Sequence, residues 1–307
     1  MDYQKLVVDV HDDVYAYRGQ GTVTSYIPAL ASADPSKVGI ALALADGSMF
    51  SAGDAYTSFS VQSISSVFAL PLTLNTVKGS LWNHVGREPA GVPLSSLAQL
   101  QLEHGKPRNP LINSGALVMS DQFIGRRDAK DAANEFVDFM RTVSGDESIG
   151  VDEELAISES RAGALNRSIA YYLRACGNLN NSVEDILWLY YRQCSVTMNC
   201  RQLASALLFL AFDGKDPRSD SEVTVSSHAR RTNALMLAAG HYDASGEFAF
   251  RVGLPGKSSA SGGVVAVIPG IGAVCAWSPG LDSGGCSLVG TLLLERLVKR
   301  TGWSIFS

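Results

Sequence analysis

Ser63 lies where a strand-like pattern changes into a helical one, a position at which a serine hydroxyl can act as a nucleophile. Residues 58–74 begin with alternating polar and apolar side chains and continue as an apolar helical pattern. A serine in the first turn of a helix lies near unpaired backbone N–H groups, which stabilise developing negative charge. The alternative interpretation is that Ser63 only caps the helix.

A serine nucleophile needs a base, and the sequence offers lysine rather than histidine for this role. Residues 281–285, Leu-Asp-Ser-Gly-Gly, lack the full serine-protease context, and no G-x-S-x-G segment occurs. In Ser-x-x-Lys helices the lysine lies one turn beyond the serine and takes its proton. Here Ser66 occupies that position, so the spacing is intact and the base is absent. Lys257 is the other candidate, although a lysine at the end of a strand is expected to be exposed.

Strand patterns occur at both ends of the chain, and helical patterns occupy the middle. Before residue 36 the sequence predicts a helical lead-in, with Thr22 or Thr24 capping a short helix through Tyr26. Residues 38–44 and 49–53 predict a hairpin that turns at Asp46-Gly47. Further strands are predicted over residues 247–253, 263–269 and 272–278. After the Ser63 helix, helices are predicted over residues 95–102, 129–143, 152–160, 164–176, 183–193, 200–213, 225–239 and 287–300.

These elements predict one α+β domain over residues 1–307 with two lobes. An antiparallel sheet is assembled from both chain ends, residues 1–62 and 240–307, and is flanked by helices. Residues 63–239 form an inserted helical lobe. Ligands commonly bind where two lobes meet, which is where the Ser63 helix begins.

Composition narrows the class of partner. The 307 residues are 46% hydrophobic and 18% charged with a net charge of −5, which is typical of a soluble globular protein and gives no basic surface for nucleic acid. No leader or long apolar run is evident, so we expect a cytoplasmic protein without a membrane partner. Five cysteines without a C-x-x-C pair favour reduced thiols, and the isolated group His11-Asp12-Asp13 favours a solvated loop over a metal site. We expect no metal and no cofactor.

Several segments spread in order along nearly the whole chain resemble the serine-dependent glutaminases. The segments are Ser25-Tyr-Ile-Pro-Ala-Leu, Phe59-Ser-Val-Gln-Ser-Ile-Ser, Gly86-Arg-Glu-Pro-Ala-Gly, Asn109-Pro-Leu-Ile-Asn-Ser-Gly-Ala, Ser158-Glu-Ser with Asn166, Tyr190, Tyr242-Asp-Ala-Ser-Gly, Val252-Gly-Leu-Pro-Gly-Lys-Ser and Trp277-Ser-Pro. The resemblance implies the β-lactamase and transpeptidase-like fold, which agrees with the split sheet and inserted lobe. It also implies hydrolysis of L-glutamine to L-glutamate and ammonia through a γ-glutamyl ester on a serine, in a homo-dimer or homo-tetramer.

Site residues follow from the resemblance position by position. Ser63 matches the nucleophile, and its N–H and that of Ala260 match the oxyanion hole. Glu159 has the charge to pair with the substrate α-ammonium, and Tyr190 or Tyr242 could relay a proton near Ser63. The positions that match the family's substrate pocket are Tyr26, Ser63, Asn113, Glu159, Asn166, Tyr190, Tyr242 and Ala260.

The chain departs from the family pattern at the base. Ser66 stands where the family has lysine, and Lys257-Ser258-Ser259-Ala260 stands where it has Lys-Ser-Gly-Val. A missing general base predicts severely impaired hydrolysis, which Ser66→Lys would restore. The competing interpretation is that Lys257 or a tyrosine already serves as base. Two other functions remain open at this point: another serine acyl or amide hydrolase of the same fold, and an amino-acid-binding module without turnover.

Overall fold

The computed structural model describes residues 1–90 and 96–307, in which an antiparallel sheet and a larger set of helices pack together. The helices are α1 Tyr3–Val14, α2 Ser65–Val77, α3 Leu81–His84, α4 Leu97–Leu102, α5 Asn113–Ile124, α6 Ala129–Ser144, α7 Glu153–Ala162, α8 Ala164–Ala175, α9 Val183–Cys194, α10 Cys200–Ala206, α11 Leu208–Ala211, α12 Ser226–Ala239, α13 Ser245–Arg251 and α14 Leu288–Thr301. The strands are β1 Gly39–Leu44, β2 Met49–Gly53, β3 Phe59–Ser60, β4 Gly150–Val151, β5 Val196–Met198, β6 Lys215–Asp216, β7 Ser221–Glu222, β8 Gly256–Ser258, β9 Gly263–Ile268 and β10 Gly272–Trp277.

The main sheet joins the two ends of the chain. Its strand order is β2-β1-β10-β9-β8, and every neighbouring pair is antiparallel. Leu42 of β1 lies between Phe50 of β2 and Val274 of β10. The predicted hairpin and the assembly of the sheet from both ends are confirmed. Gly47 has a φ of 81° in the hairpin turn, a value that glycine adopts without strain.

Alternation along the central strands builds a core on each face of the sheet. In β1, Ile40 and Leu42 pack with α1 and α14, whereas Ala41 and Ala43 pack toward the helical block. Strands β9 and β10 are buried along their whole length, as expected for strands covered on both sides. The sheet is therefore the middle layer between the α1–α14 pair and the helical middle of the chain.

Helix α2 lies in the centre of the helical block and carries the stretch that follows Ser63. It packs against α5 and α12. Its side chains are buried from Ser65 through Leu74, so the helix is apolar all round rather than amphipathic. Such burial fixes the start of the helix and with it the preceding turn, where Ser63 lies.

The predicted strand over residues 247–253 is wrong, because residues 245–251 form helix α13. Phe248 points inward and stacks on His241 at 3.6 Å between ring centroids, whereas Phe250 is 88% exposed. Two phenylalanines two residues apart indicated strand alternation, but one of them faces solvent. The third late strand is instead the short β8.

Two further predictions need correction, and one helix was missed. The short helix capped by Thr22 or Thr24 is wrong, because Thr22 forms a bridge with Leu281 and the helical turn lies at Pro28–Leu30. Helix α5 was not predicted, because Asn-Pro and Asn-Ser-Gly favour turns. The helix predicted over 200–213 divides into α10 and α11. The helix predicted over 95–102 begins at a residue outside the described ranges. The segment Gly86-Arg-Glu-Pro-Ala-Gly ends at another such residue.

The described part of the chain contains no helix that is long and apolar enough to cross a membrane. Within the same residues, no group of three His, Cys, Asp or Glu side chains is placed to hold a metal ion. All five cysteines are free thiols.

Candidate active site

Ser63 lies in a single 3₁₀ turn, Gln62–Ile64, between β3 and α2. Gln62, the residue before it, has a φ of 48°, a left-handed conformation that is uncommon for residues other than glycine and clusters at functional sites. Helix α2 starts after this turn without a side-chain cap. The Ser63 hydroxyl is therefore not used to cap the helix.

The Ser63 hydroxyl contacts three groups from a distant part of the chain. Its Oγ lies 2.7 Å from the Tyr242 hydroxyl, 3.1 Å from the Ser258 carbonyl oxygen and 3.4 Å from the Lys257 Nζ. Tyr242 has a φ of 57°, so its backbone is also held in the left-handed region. Two constrained turns thus bring a serine, a phenol and an amine together.

Lys257 is not the exposed strand-end lysine that the sequence predicts. It lies in the middle of β8 and its side chain is fully buried. Its Nζ donates to the Ser258 carbonyl at 2.6 Å and to the Tyr242 hydroxyl at 2.9 Å. Burial lowers the pKa of Lys257 from 10.5 to about 7. The amine is therefore partly neutral near pH 7.

Glu159, on α7, is a buried carboxylate in a second part of the site. Its Oε1 accepts hydrogen bonds from Gln62 Nε2 at 2.6 Å and from Ser195 Oγ at 3.3 Å. Burial raises its pKa to about 7, although both hydrogen bonds act in the opposite direction. None of the ion pairs among residues 1–90 and 96–307 includes Glu159. A bound cation would supply the missing opposite charge.

A cavity of about 530 Å³ connects Ser63 with Glu159. It is lined by all eight positions expected in a substrate pocket, together with Ile27, Gln62, Ala162, Gly163, Ala164, Leu165, Tyr191, Cys194, Leu281 and Gly285. Tyr26 is 67% exposed, whereas Asn113 donates to Asn166 at 2.9 Å. The polar groups are thus distributed along one concave surface.

The two tyrosines proposed as proton relays occupy different places. Tyr242 is hydrogen-bonded to Ser63, and burial raises the pKa of its phenol well above the ordinary value. Tyr190 lines the cavity, and burial likewise raises its pKa. No hydrogen bond joins Tyr190 to Ser63 in the part of the chain that the structure describes.

Ser66 and Lys257 lie behind the cavity wall rather than on it. The Ser66 hydroxyl donates to the Ser63 carbonyl at 2.7 Å, a bond between the start of α2 and the turn that precedes it. It makes no hydrogen bond to Ser63 Oγ among the described residues. Of the two positions, only Lys257 reaches the Ser63 hydroxyl.

Two polar residues of the site were missed in the sequence, Gln62 and Ser195. Both hold the Glu159 carboxylate. Gln62 could have been found, because a long polar side chain directly before the candidate nucleophile differs from the small serines that alternate with apolar residues in this segment. Ser195 ends α9 as an ordinary polar residue, and nothing in its local sequence marks it.

Comparison with known proteins identifies the family to which this site belongs. The glutaminase family profile matches residues 21–306. Glutaminases from Methylorubrum populi and Rhizobium rhizogenes are each 47% identical over 305 residues, which is 99% of this chain and 99% of each relative. The chain belongs to the glutaminase family. Its alignment with these glutaminases leaves almost no residue outside the shared region.

Solved glutaminase structures share the whole fold. The probable glutaminase YbaS superposes with a TM-score of 0.93 at 32% identity, with full coverage of both chains. A probable glutaminase from Bacillus subtilis, complexed with 6-diazo-5-oxo-L-norleucine, superposes with a TM-score of 0.90 at 31% identity and covers 100% of this chain and 98% of its own. The expected α+β, β-lactamase-like fold is confirmed.

Proposed function

We propose that this chain hydrolyses L-glutamine to L-glutamate and ammonia through a γ-glutamyl ester on Ser63. The observation that supports this most directly is the cavity that connects an activated serine with an unpaired buried carboxylate. The first group suits acyl transfer, and the second suits an α-ammonium. A free amino acid with a side-chain amide has both features at the required ends.

Glu159 gives the pocket its preference for an amino acid. An ammonium beside the carboxylate forms a charge-assisted hydrogen bond and lowers the pKa of Glu159 toward its ordinary range. Gln62 and Ser195 keep the carboxylate oriented by donating to Oε1. The substrate α-carboxylate then accepts hydrogen bonds from the side-chain amides of Asn113 and Asn166 and from the phenols of the pocket tyrosines.

The oxyanion hole is formed by the N–H groups of Ser63 and Ala260. Among the described residues, no acceptor receives the Ala260 N–H, although its carbonyl accepts from Thr24. The N–H is therefore available to the substrate oxygen. Two such donors stabilise the tetrahedral intermediate, and loss of one typically slows acyl transfer by about 10²–10³-fold.

The ligands of two solved relatives agree with this substrate. The Bacillus subtilis protein was solved with 6-diazo-5-oxo-L-norleucine, and another neighbour was solved in its glutamate form. Both ligands carry an α-amino acid group. In the present chain we place that group against Glu159.

Three finer parts of the proposal concern residue 66, assembly and location. By resemblance, Ser66 replaces the family's lysine. We also propose a homo-dimer or homo-tetramer and a cytoplasmic location. Light scattering on the purified chain and cell fractionation test these two parts, and a monomer or a membrane-associated chain would contradict them.

A panel of amides tests the proposed function. Ammonia release is measured with L-glutamine, D-glutamine, L-asparagine and N-acetyl-L-glutamine, and ring opening of a β-lactam is measured by its ultraviolet absorbance, for the unchanged chain and for Ser63→Ala. We expect L-glutamine to be preferred over all the others and Ser63→Ala to abolish its hydrolysis. The exposed Ser219→Ala is the matched control and should keep full activity. Equal turnover of N-acetyl-L-glutamine, or activity that persists in Ser63→Ala, would refute the assignment.

A further inference from the structure

The buried amine of Lys257 has no negatively charged partner. No ion pair among the described residues includes it, and its hydrogen bonds go to neutral oxygens of Ser258, Tyr242 and Ser63. A structural lysine in a protein interior is normally paired with a carboxylate, because an unpaired buried charge is unfavourable. An amine that is buried without such a partner is suited to holding and releasing a proton.

The titratable groups around Lys257 do not supply that charge either. Burial raises the pKa of the Cys194 and Cys286 thiols, so both are neutral. His241 is fully buried, and burial together with the Lys257 charge holds its pKa well below the ordinary value. Tyr242 is also neutral, because burial raises its pKa. The neighbours therefore leave the amine free to be deprotonated near neutral pH.

Helix α2, which follows Ser63, offers no basic group comparable to the Lys257 amine. The Ser66 hydroxyl is an alcohol like Ser63 itself and donates to the Ser63 carbonyl. An alcohol cannot take the proton of another alcohol at neutral pH. Among the described residues, the titratable groups within hydrogen-bonding distance of Ser63 Oγ are Lys257 on strand β8 and Tyr242 in the 3₁₀ turn before α13.

We propose that Lys257, acting with Tyr242 as a proton relay, is the general base for Ser63, so that the basic group comes from strand β8 rather than from residue 66 of the helix. This inference rests on the proposed glutaminase function and adds the source of the base. Tyr242 is placed for the relay, because its hydroxyl lies 2.7 Å from Ser63 Oγ and 2.9 Å from Lys257 Nζ.

The protons move in a closed cycle. Ser63 gives its proton to the Tyr242 oxygen, Tyr242 gives its own proton to the Lys257 amine, and Ser63 Oγ bonds to the substrate Cδ. Protonated Lys257 then returns the proton through Tyr242 to the substrate amide nitrogen as the C–N bond breaks. This step releases ammonia and leaves the γ-glutamyl ester on Ser63. Water then attacks the ester carbon while the Lys257 amine takes a proton from the water. The bond between that carbon and Ser63 Oγ breaks, and Lys257 returns the proton to Ser63 through Tyr242.

The experiment compares the unchanged chain with Lys257→Met, Lys257→Arg, Ser66→Lys and Ser63→Ala. Met has a similar length without an amine, and Arg keeps the charge but does not release its proton. The exposed Lys215→Met is the matched control. For each variant, kcat and KM for L-glutamine are measured across pH, and L-glutamate affinity is measured by calorimetry. Glutamate binding shows that a variant is folded and keeps its pocket.

We expect Ser63-dependent hydrolysis in the unchanged chain. Lys257→Met and Lys257→Arg should each lower kcat by about 10²–10⁴-fold while glutamate affinity is retained. Ser66→Lys should change kcat by less than about tenfold, since the site already has its amine. The unchanged chain should also lose kcat on the acid side of about pH 7, because protonation removes the base.

Two results would contradict the assignment of Lys257 as the general base while leaving the glutaminase function intact. One is a Lys257→Met variant that binds glutamate and keeps its kcat. The other is an unchanged chain without activity that gains several orders of magnitude on Ser66→Lys. If no variant hydrolyses L-glutamine and none binds glutamate, the proposed function and the proposed base fail together.

Discussion

Glu159 and Lys257 are two residues of opposite charge type whose pKa values burial moves to the same range. The pKa of Glu159 is raised from 4.5 to about 7, and that of Lys257 is lowered from 10.5 to about 7. Each must be deprotonated to act, the first to bind an ammonium and the second to accept a proton. Neutral pH is therefore the point at which both become available.

The first prediction concerns the pH profile. Because both groups lose a proton near pH 7, log kcat/KM should rise with pH and approach a slope of about 2 on the acid side. Glu159→Gln removes one of the two ionisations, so the slope should fall to about 1. It should also raise KM by at least about tenfold, because a buried charge-assisted bond is lost. The exposed Glu184→Gln is the control, and an unchanged slope in Glu159→Gln would contradict the prediction.

The second prediction concerns stability at Lys257. A lysine whose pKa is lowered on folding leaves the fold at its full stability only above the unfolded pKa of 10.5, where the amine is neutral in both states. As pH falls to about 7, protonation favours the unfolded chain, and that stability is lost. Lys257→Met should therefore stabilise the fold by roughly 1–3 kcal/mol at about pH 6. The gain should shrink as pH approaches 10. Chemical denaturation at several pH values measures this, and a destabilised variant at pH 6 would show that the amine supports the fold.

At the scale of elements, the site depends on short connections whose conformations local patterns do not reveal. Ser63, Tyr242 and Gly163 all lie at breaks between elements, and the first two belong to 3₁₀ turns that include a left-handed residue. The family resemblance assigned site roles to Ser63 and Tyr242 but gave none to Gly163. It did not predict that Lys257 is buried, because burial depends on a contact with Ser63 that spans 194 positions.

The third prediction tests the break between α7 and α8. A Cβ on Gly163 would overlap the Tyr191 hydroxyl and approach the Glu159 carbonyl oxygen. Gly163→Ala should therefore destabilise the protein by about 1–3 kcal/mol and raise KM, since it displaces the end of the helix that carries Glu159. Gly246→Ala is the matched control, because it lies in helix α13 with open space around it. Equal stability and KM in the two variants would mean that this break does not position Glu159.

Sequence patterns predicted most of the long elements but missed the 12-residue helix α5, and they failed at several short ones. The hairpin of β1 and β2 and the buried strands β9 and β10 follow from alternation and turn residues. Residues 245–251 were misjudged because Phe248 and Phe250 alternate as in a strand, although the segment is a helix with one phenylalanine in solvent. Tertiary contacts at His241 decided that segment, and a local pattern does not contain them.

At the scale of the whole molecule, the cavity is built from both ends and the middle of the chain. Tyr242 and Ala260 come from the late part of the sequence, Tyr26 comes from the early part, and Glu159 comes from between them. No single segment can therefore form the site. A ligand that contacts all of these segments binds only the folded chain and shifts the unfolding equilibrium.

The fourth prediction follows from that linkage. L-glutamate at about 100 times its dissociation constant should stabilise the fold by about 2.7 kcal/mol, because it binds the folded state alone. D-glutamate should give a smaller shift, and Glu159→Gln should remove most of the effect of L-glutamate. Thermal unfolding with each ligand measures this. Equal stabilisation by both enantiomers would show that the pocket does not hold the α-amino acid group as proposed.

The most direct test of the whole account is to trap the acyl intermediate in the unchanged chain, with serine at position 66. Acid quenching during turnover of L-glutamine, followed by mass spectrometry of peptides, locates any γ-glutamyl ester. We predict an ester on Ser63 in the unchanged chain and in Ser66→Lys, with none in Ser63→Ala and far slower formation in Lys257→Met. An ester on another residue, or turnover of glutamine without any ester in repeated early quenches, would contradict the account.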